Sequence, residues 1–175
     1  ASYCLKKFFS PNQVLVDLGA GNYRDTLFFL SNQLNVIAID QSLPELNSSL
    51  ANDKIKDLMS SNCQAIKSDF CNFDFKNLKE IDIYYARWSL HSITLKDEEK
   101  LFQNISHNFK KNNLFCIEAR STKDQLFGSG KPLEKNAFFT DHYRRFVDIE
   151  ELKETINKYN FKILYLEESD NFSKT

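Results

Sequence analysis

The sequence lacks the features of a membrane, secreted or zinc-binding protein. No apolar run approaches the roughly 20 residues that a helix needs to cross a bilayer, and the start, ASYCLKKFF, lacks the apolar core of a signal peptide. The four cysteines show no CxxC spacing, which argues against a zinc site and a disulfide framework. We therefore expect a cytoplasmic protein that neither enters a membrane nor holds a metal.

The chain also lacks an excess of charge of either sign. It has 23 Lys and Arg residues and 24 Asp and Glu residues, which gives a formal net charge of −1. A strong positive field is what draws a protein to nucleic acid or to an anionic membrane surface. We therefore expect neither nucleic acid nor a membrane as a partner.

Strand-like and helix-like segments alternate along the chain. Short apolar runs typical of strands occupy residues 14–18, 35–39, 63–68, 81–86, 114–119 and 161–166. Apolar spacing and capping residues predict helices over 24–34, from Pro44 to about Ser60, after Thr94 and after Asp148. This alternation predicts an α/β fold in a single domain, 1–175: a Rossmann-like, doubly wound, mostly parallel sheet with helices on both faces.

A glycine-containing loop and an acidic residue follow the first two strands. The loop, Asp17-Leu18-Gly19-Ala20-Gly21-Asn22, opens a helix, and glycine lets a ligand approach the backbone closely. Asp40 ends the second strand 19 residues after Gly21, at the distance of an acid that accepts hydrogen bonds from ribose hydroxyls. Each feature alone can be a plain turn or a helix cap. Together they predict a nucleoside site.

Two further features bear on which nucleoside binds. A dinucleotide fold needs a third glycine three residues after the second, where this chain has Arg24. After the third strand, Asp69-Phe70 offers a carboxylate for an adenine amino group and an aromatic ring to cover the base. The alternative for this pair is a surface Asp beside a core Phe.

These segments together resemble a known family. VLVDLGAGNYRDTLFFL, NVIAIDQS and SDF are similar to motifs one to three of class I S-adenosylmethionine-dependent methyltransferases. The resemblance implies that Gly19 and Gly21 line the methionine and ribose of S-adenosylmethionine. It further implies that Asp40 holds the ribose and that Asp69 with Phe70 holds the adenine.

The resemblance extends the set of cofactor-binding candidates. Arg24 would face the carboxylate of the donor; a helix cap or a surface salt bridge is its alternative. Tyr23 replaces the third glycine of the usual GxGxG, so it is strained if its φ is positive; a reshaped loop with Tyr23 packed over the donor is the other possibility. The remaining candidates are Asp17, Asn22, Gln41 and Arg87.

The end of the chain departs from the family pattern. The family fold closes with a hairpin of strands six and seven, which implies a sheet of six to seven strands. The sequence stops at Thr175, just after the sixth predicted strand. Either the last strand lies outside the given sequence or another segment covers that edge of the sheet. We favour the first explanation and expect the sequence to be a piece of a longer multidomain protein.

The segments after strands four and five suggest a narrower group. YYARWSLHSI, and the stretch that ends in HYRRFVD, resemble methyltransferases found in bacterial capsule and surface-polysaccharide gene clusters. This resemblance implies a role in capsule biosynthesis, with fused or associated biosynthetic domains as partners. A hydroxyl acceptor benefits from a general base, whereas an anionic oxygen needs none. By residue type, His142 is the first candidate for a catalytic base, and His91 is the second.

The same segments hold the candidates for acceptor binding. They are Trp88, His91, Arg120, Tyr143, Arg144 and Arg145. Guanidinium groups suit phosphate or carboxylate, although Arg144 and Arg145 could instead pair with Asp148 or Glu151 at a helix start. The sequence thus predicts O-methylation of a small anionic metabolite, phosphorylated or nucleotide-linked. A non-catalytic nucleoside-binding domain, an NAD-dependent oxidoreductase and an RNA methyltransferase are the alternatives.

Overall fold

The computed structural model describes residues 1–43, 53–78 and 80–169. Its centre is a parallel sheet of five short strands in the order β3-β2-β1-β4-β5. The strands are β1 (Val14–Leu18), β2 (Asn35–Asp40), β3 (Cys63–Lys67), β4 (Ile83–Arg87) and β5 (Leu114–Glu118). The order reverses between β1 and β4, so the loops that follow these two strands flank the place where such sheets bind ligands.

Helices cover both faces of the sheet, as predicted. They are α1 (Ser2–Phe8), α2 (Arg24–Ser31), α3 (Asp53–Asn62), α4 (Leu95–Ser106) and α5 (Ile149–Lys158). Successive strand residues face opposite sides: Leu15 packs with Phe29 of α2, whereas Val16 belongs to the cluster that contains Phe102 of α4. This two-sided burial explains why the central strands are apolar throughout.

The predicted helix caps are confirmed. Thr94 Oγ1 accepts a hydrogen bond from the Asp97 N–H at 3.1 Å, and the Asp148 carboxylate accepts from the Glu150 and Glu151 N–H groups. The helix predicted over 24–34 ends earlier, at Ser31. The predicted start at Pro44 lies outside the described residues.

The prediction of six to seven strands in the main sheet is wrong, because the sheet has five. Residues 161–166 pair with no strand in the part of the chain that the structure describes. Leu164 is 62% exposed, and the Tyr165 ring lies 5.0 Å from that of Tyr3 on α1. An apolar run becomes a strand only where a neighbour takes its N–H and C=O groups, and this run passes α1 instead.

A second, antiparallel sheet was not predicted. It consists of β6 (Lys131–Glu134), β7 (Ala137–Phe139) and β8 (Tyr143–Arg145). The sheet belongs to residues 121–147, which we call the lobe. The lobe leaves the fold after β5 and returns to the same place, since the Val147 N–H donates to the Arg120 carbonyl at 2.8 Å. It therefore folds back over the carboxyl ends of β4 and β5, where β8 packs against a 3-10 turn, Leu90–Ser92.

No helix among the described residues has both the length and the apolar character needed to cross a membrane.

Candidate active site

The loop after β1 is bound tightly to the end of β2. Gly19 has φ +80°, and a Cβ added to it would lie 2.8 Å from the Cβ of Ser89, so only glycine fits there. The Gly19 and Ala20 N–H groups donate to the Ile39 carbonyl at 2.8 and 3.3 Å. At Gly21, in contrast, an added Cβ would meet nothing within 4 Å. The loop therefore faces open space at Gly21.

Asp40 lies beside this open space and is held in one orientation. Its Oδ2 accepts from the Gly21 N–H at 3.0 Å, and its Oδ1 accepts from the N–H and hydroxyl of Ser42 at 2.8 and 3.0 Å. A carboxylate has about four lone-pair sites. The group is thus positioned by three bonds and can still accept a hydrogen bond from a ligand. Gln41 is exposed next to it.

The bonding of this loop argues against a pyrophosphate ligand. Pyrophosphate-binding turns present free backbone N–H groups to the phosphate oxygens. Here the N–H groups of Gly19, Ala20 and Gly21 all donate to protein oxygens. Because these donors are already used, the loop does not suit a dinucleotide cofactor.

Asp17 lies under the loop and is 3% exposed. Its Oδ2 accepts from the Thr26 hydroxyl at 2.6 Å, which ties β1 to α2. Burial raises the pKa of Asp17 to about 7; Asp25 and Asp40 also raise this pKa, against the lowering effect of the Thr26 bond. The raised pKa makes Asp17 partly protonated near neutral pH, so its role beneath the loop is to hold α2 through Thr26.

Tyr23 has φ +64° and begins α2 in the left-handed conformation. The position thus has the positive φ that was expected to strain a residue with a side chain. The side chain is 2% exposed and lies in the apolar cluster with Phe29 and Met59. That packing supports the strained backbone. Contact of Tyr23 with the donor stays a prediction.

Arg24 and Arg87 belong to an ion-pair network around Asp25. Arg87 Nη1 lies 3.1 and 3.2 Å from the two Asp25 oxygens, and Arg87 Nε lies 2.9 Å from Glu118 Oε2. The Arg24 side chain is 66% exposed and lies 3.7 Å from Asp25, so the salt-bridge alternative describes its position here. The network joins the start of α2 to the ends of β4 and β5. Sequence reasoning did not identify Asp25, whose partner lies 62 residues away.

The end of β3 converges on the same loop. Phe70 is 7% exposed, and its Cε1 would lie 3.4 Å from a Cβ at Gly19. The Asp69 carboxylate accepts from the Cys71 N–H at 2.9 Å and from the Asn72 side chain. The structure therefore brings Phe70 to the loop, while Asp69 shapes the turn that holds it.

Trp88 stands at the end of β4 with φ +59°. A bulky residue rarely adopts this conformation, and such strain gathers at functional sites. The Trp88 N–H donates to the Glu118 carbonyl at 2.8 Å. Its ring lies 5.9 Å from the guanidinium of Arg87, 5.2 Å from that of Arg120 and 6.0 Å from the His91 ring. Trp88 is thus the centre of a cationic and aromatic cluster.

His91 is partly buried in the 3-10 turn beyond Trp88. Its Nδ1 has no hydrogen-bond partner among the described residues. Burial lowers the pKa of His91 to about 4, with further lowering by Arg120, Arg144 and His142. His91 is therefore neutral at pH 7, and it lies within electrostatic reach of three of the other candidates for acceptor binding and catalysis.

The lobe supplies the other side of this cluster. Arg144 Nη2 lies 2.9 Å from His142 Nε2, and His142 Nδ1 lies 2.9 Å from Asp141 Oδ1. Arg144 also donates to the Thr140 hydroxyl at 3.3 Å. The Arg144 side chain is only 16% exposed, and its separation from Asp141 is 3.9 Å. Among the described residues, the largely buried Arg144 guanidinium thus has one carboxylate partner, Asp141, at the long separation of 3.9 Å.

Two further acceptor candidates are bonded inside the lobe and its base. The Tyr143 hydroxyl donates to Glu134 Oε1 at 2.6 Å, which ties β8 to β6. Arg145 is 4% exposed and forms an ion pair with the buried Glu98. Its pairing with Asp148 or Glu151, weighed from the sequence, is not what the structure contains. The burial leaves the Arg145 guanidinium almost no surface for an acceptor.

One sequence comparison decides the family. A family model described as a methyltransferase domain matches residues 16–117, more than half of the chain. The chain belongs to this family and is an S-adenosylmethionine-dependent methyltransferase. The alternatives of a non-catalytic nucleoside-binding domain and of an NAD-dependent oxidoreductase are thereby wrong. No curated protein matches the methyltransferase in sequence.

Solved structures share the fold. An S-adenosylmethionine-dependent methyltransferase from Methanosarcina mazei has a TM-score of 0.73 at 14% identity, covering 92% of this chain and 85% of its own. The 1,6-didemethyltoxoflavin-N1-methyltransferase of Burkholderia thailandensis has a TM-score of 0.61 at 18% identity, and the match covers 85% of this chain and 60% of that enzyme. The glycopeptide N-methyltransferase MtfA, complexed with S-adenosylmethionine, has a TM-score of 0.64 at 15% identity, and the match covers 94% of this chain and 76% of MtfA. At such identities the likeness concerns the fold.

The described residues of the methyltransferase contain no group of His, Cys, Asp or Glu that could hold a metal ion.

Glu98 and Asp25 are the site residues that sequence reasoning missed. Glu98 stands in the first turn of α4, where an acid is expected for the helix dipole alone. What distinguishes Glu98 is that it is buried at 2% exposure. The apolar spacing of the helix does not predict that burial, so the sequence offered no signal for it.

Proposed function

We propose that this methyltransferase transfers a methyl group from S-adenosylmethionine to an oxygen of a small anionic metabolite, phosphorylated or nucleotide-linked. We further propose that the product serves the modification of a bacterial surface polysaccharide in the cytoplasm, as the resemblance to capsule-cluster proteins implies. The observation that supports the anionic acceptor is the largely buried guanidinium of Arg144, whose one carboxylate partner among the described residues lies 3.9 Å away.

The donor site is proposed at the loop after β1. Gly19 lets the loop pack closely, and Gly21 borders open space that a ligand can fill. Asp40 supplies a positioned carboxylate beside that space, and Phe70 supplies an apolar wall. When bound, S-adenosylmethionine supplies a methyl group activated by its positively charged sulfonium. The Asp40 carboxylate beside the loop suits a cation, and MtfA, of the same fold, is complexed with this donor.

The acceptor site is proposed between Trp88 and the lobe. Arg120 and Arg144 offer planar donors that match phosphate or carboxylate oxygens. Arg120 is paired with Asp124 at 2.6 Å, so it serves as a secondary donor, and Arg144 is the principal one. The Trp88 ring forms a wall along which the acceptor can lie. The site thus holds an anion near the carboxyl ends of the strands, where the methyl group is expected.

The need for a base depends on the acceptor atom. A hydroxyl would lose its proton to a histidine while its oxygen bonds to the methyl carbon, whose bond to the sulfonium sulfur breaks and releases S-adenosylhomocysteine. A phosphate oxygen is already anionic and needs no base. His142 contacts both Asp141 and Arg144, and His91 is neutral, with an Nδ1 that has no hydrogen-bond partner among the described residues. Both histidines are therefore candidates. For a hydroxyl acceptor, replacing by Ala the histidine that takes the proton should lower kcat by ~10²–10⁴, and for a phosphate acceptor neither replacement should cost much.

The test follows methyl transfer from labelled S-adenosylmethionine to a panel of sugar phosphates, nucleotide sugars, unphosphorylated sugars and transfer RNA. We expect transfer to an anionic small molecule. Arg144→Ala should raise the acceptor KM, or lower kcat/KM, tenfold or more with unchanged affinity for S-adenosylhomocysteine. Arg144→Lys should restore little of the lost kcat/KM, because lysine lacks the planar, forked donors of a guanidinium.

Lys135→Ala is the matched control in the lobe, since Lys135 is exposed and pairs with Glu151 on α5. It should leave the acceptor KM unchanged. Methylation confined to transfer RNA, or an acceptor KM that Arg144→Ala does not alter, would overturn the proposed acceptor. The family assignment would stand in either case.

A further inference from the structure

We propose that Arg145 and Glu98 form a positioning pair that sets the distance between Arg144 and the turn carrying His91. The inference rests on the proposed acceptor site and adds two residues to it that touch neither donor nor acceptor. Arg145 is 4% and Glu98 2% exposed, so the ion pair between them is shielded from water.

The position of Arg145 on β8 couples it to Arg144. Neighbouring residues of a strand face opposite sides, so Arg145 faces Glu98 of α4, whereas Arg144 faces the other way and lies within electrostatic reach of His91. β8 is paired with β7 through Arg144 opposite Phe138 and Arg145 opposite Ala137. Any shift of β8 relative to α4 therefore moves both arginines together.

The guanidinium of Arg145 also holds the turn on both sides of His91. Arg145 Nε donates to the Ile93 carbonyl at 3.1 Å, and its Nη2 donates to the Leu90 carbonyl at 3.4 Å. These two carbonyls flank His91 in sequence. One planar group thus bonds the strand that carries Arg144, the turn that carries His91 and, through Glu98, the start of α4.

A charged pair at this place is better explained by geometry than by stability. Buried ion pairs contribute little net stability compared with well-packed apolar residues of similar size. A planar guanidinium, however, fixes direction as well as distance, because its donors have a rigid fork geometry. An apolar pair could fill the same volume but could not orient the Leu90 and Ile93 carbonyls.

Trp88 provides a local signal for the test, since it is the only tryptophan of the chain and lies 5.2 Å from Arg120. Inorganic pyrophosphate is the probe, titrated while Trp88 fluorescence is recorded. We expect Arg145→Lys, and the double variant Glu98→Leu with Arg145→Met, to raise the dissociation constant of pyrophosphate tenfold or more. Affinity for S-adenosylhomocysteine should stay within twofold, because the donor loop lies on other strands.

Two variants serve as matched controls. Glu98→Gln keeps a hydrogen-bond acceptor for Arg145, so its dissociation constant for pyrophosphate should stay within about threefold of the wild-type value, since one charged hydrogen bond is weakened but not lost. The double variant Lys135→Met with Glu151→Leu removes another ion pair of the lobe, an exposed one, and should have no effect. Arg145→Lys keeps a charge beside Glu98, so it tests position even if the apolar double variant fails to fold.

The outcomes separate the two proposals. If wild type responds to pyrophosphate and a folded Arg145→Lys binds it equally well, the pair is merely structural and the inference fails. If wild type gives no response although it binds S-adenosylhomocysteine, the anionic acceptor fails. The positioning role is then decided by the His91 ring resonances in NMR: a shift in Arg145→Lys supports it, and unchanged resonances overturn it.

Discussion

Adjacent residues of identical type have different surroundings in this protein. Arg144 and Arg145 are chemically the same, yet Arg144 lies within electrostatic reach of His91, whereas Arg145 is enclosed with Glu98 in a buried ion pair. The alternation of strand residues is the cause. The sequence predicted both as anion ligands, since it shows residue type and spacing but not which face of a three-residue strand is covered.

The pH dependence of stability is a prediction at the scale of one residue. The pKa of Asp17 is raised from 3.8 to about 7 in the folded protein, chiefly by burial. The folded state therefore binds the proton more tightly than the unfolded state, and the free energy of unfolding falls as pH rises from about 4 to 7. The loss amounts to at most about 4 kcal/mol.

Asp17→Asn should remove this loss while keeping an oxygen for the Thr26 hydroxyl. The difference in free energy of unfolding between variant and wild type, from urea titrations at pH 4 to 7, should grow with pH in favour of the variant. The contribution of His91 to the free energy of unfolding rises with pH over this range, because its pKa is lowered from 6.5 to about 4 in the folded protein. It is present in both proteins and cancels in the difference. Parallel profiles would show that Asp17 is not buried in this way.

At the scale of elements, the ends of helices and strands were the least predictable features. α2 was expected to run to residue 34 but stops at Ser31, followed by Gln33 with φ +67°. β6 to β8 have only three or four residues each, too few for a period to be read. Residues 161–166 had the right composition for a strand, but composition cannot supply a neighbouring strand.

Gln33 offers a test of the helix end. It is exposed and left-handed, and the Leu34 N–H donates to the Phe29 carbonyl at 3.2 Å, as in a glycine-type helix stop. Gln33→Gly should raise the free energy of unfolding by about 1 kcal/mol, since glycine adopts this conformation without a steric cost. Gln33→Ala is the control and should give no such increase. Equal urea midpoints for Gly and Ala would contradict the left-handed conformation.

At the scale of the whole molecule, one sheet edge collects groups from five strands. The loop after β1, Asp40 after β2, Phe70 after β3, Trp88 after β4 and Arg120 after β5 all stand at the carboxyl ends. Parallel strands with crossover helices force this convergence. The lobe then covers β4 and β5, so the proposed donor site lies on the β1 to β3 side and the acceptor site on the other.

Ligand-induced stability tests this division. S-adenosylhomocysteine should raise the free energy of unfolding by ~2.7 kcal/mol at a hundredfold excess over its dissociation constant. NAD should not, because the loop N–H groups are already used. Thermal unfolding with each ligand measures the difference, and a larger shift with NAD would contradict the proposed donor site.

Asp40→Ala sharpens the same experiment. It should weaken S-adenosylhomocysteine at least tenfold, since one charged hydrogen bond contributes roughly 1.5–3 kcal/mol. Asp124→Ala is the control on the acceptor side, where it pairs with Arg120, and should not alter this affinity. A folded Asp40→Ala that binds S-adenosylhomocysteine as wild type does would show that the ribose lies elsewhere.

The sequence by itself determined the alternation of strands and helices, the caps at Thr94 and Asp148, and the glycine loop with Asp40. These are local or evenly spaced, so residue type and period suffice to predict them. Only the tertiary structure decided that Arg87 pairs with Asp25, and that Arg145 is enclosed by Glu98. Both contacts join residues more than 40 positions apart, and the burial that gives each charge its partner arises only when the lobe and helices close over the sheet.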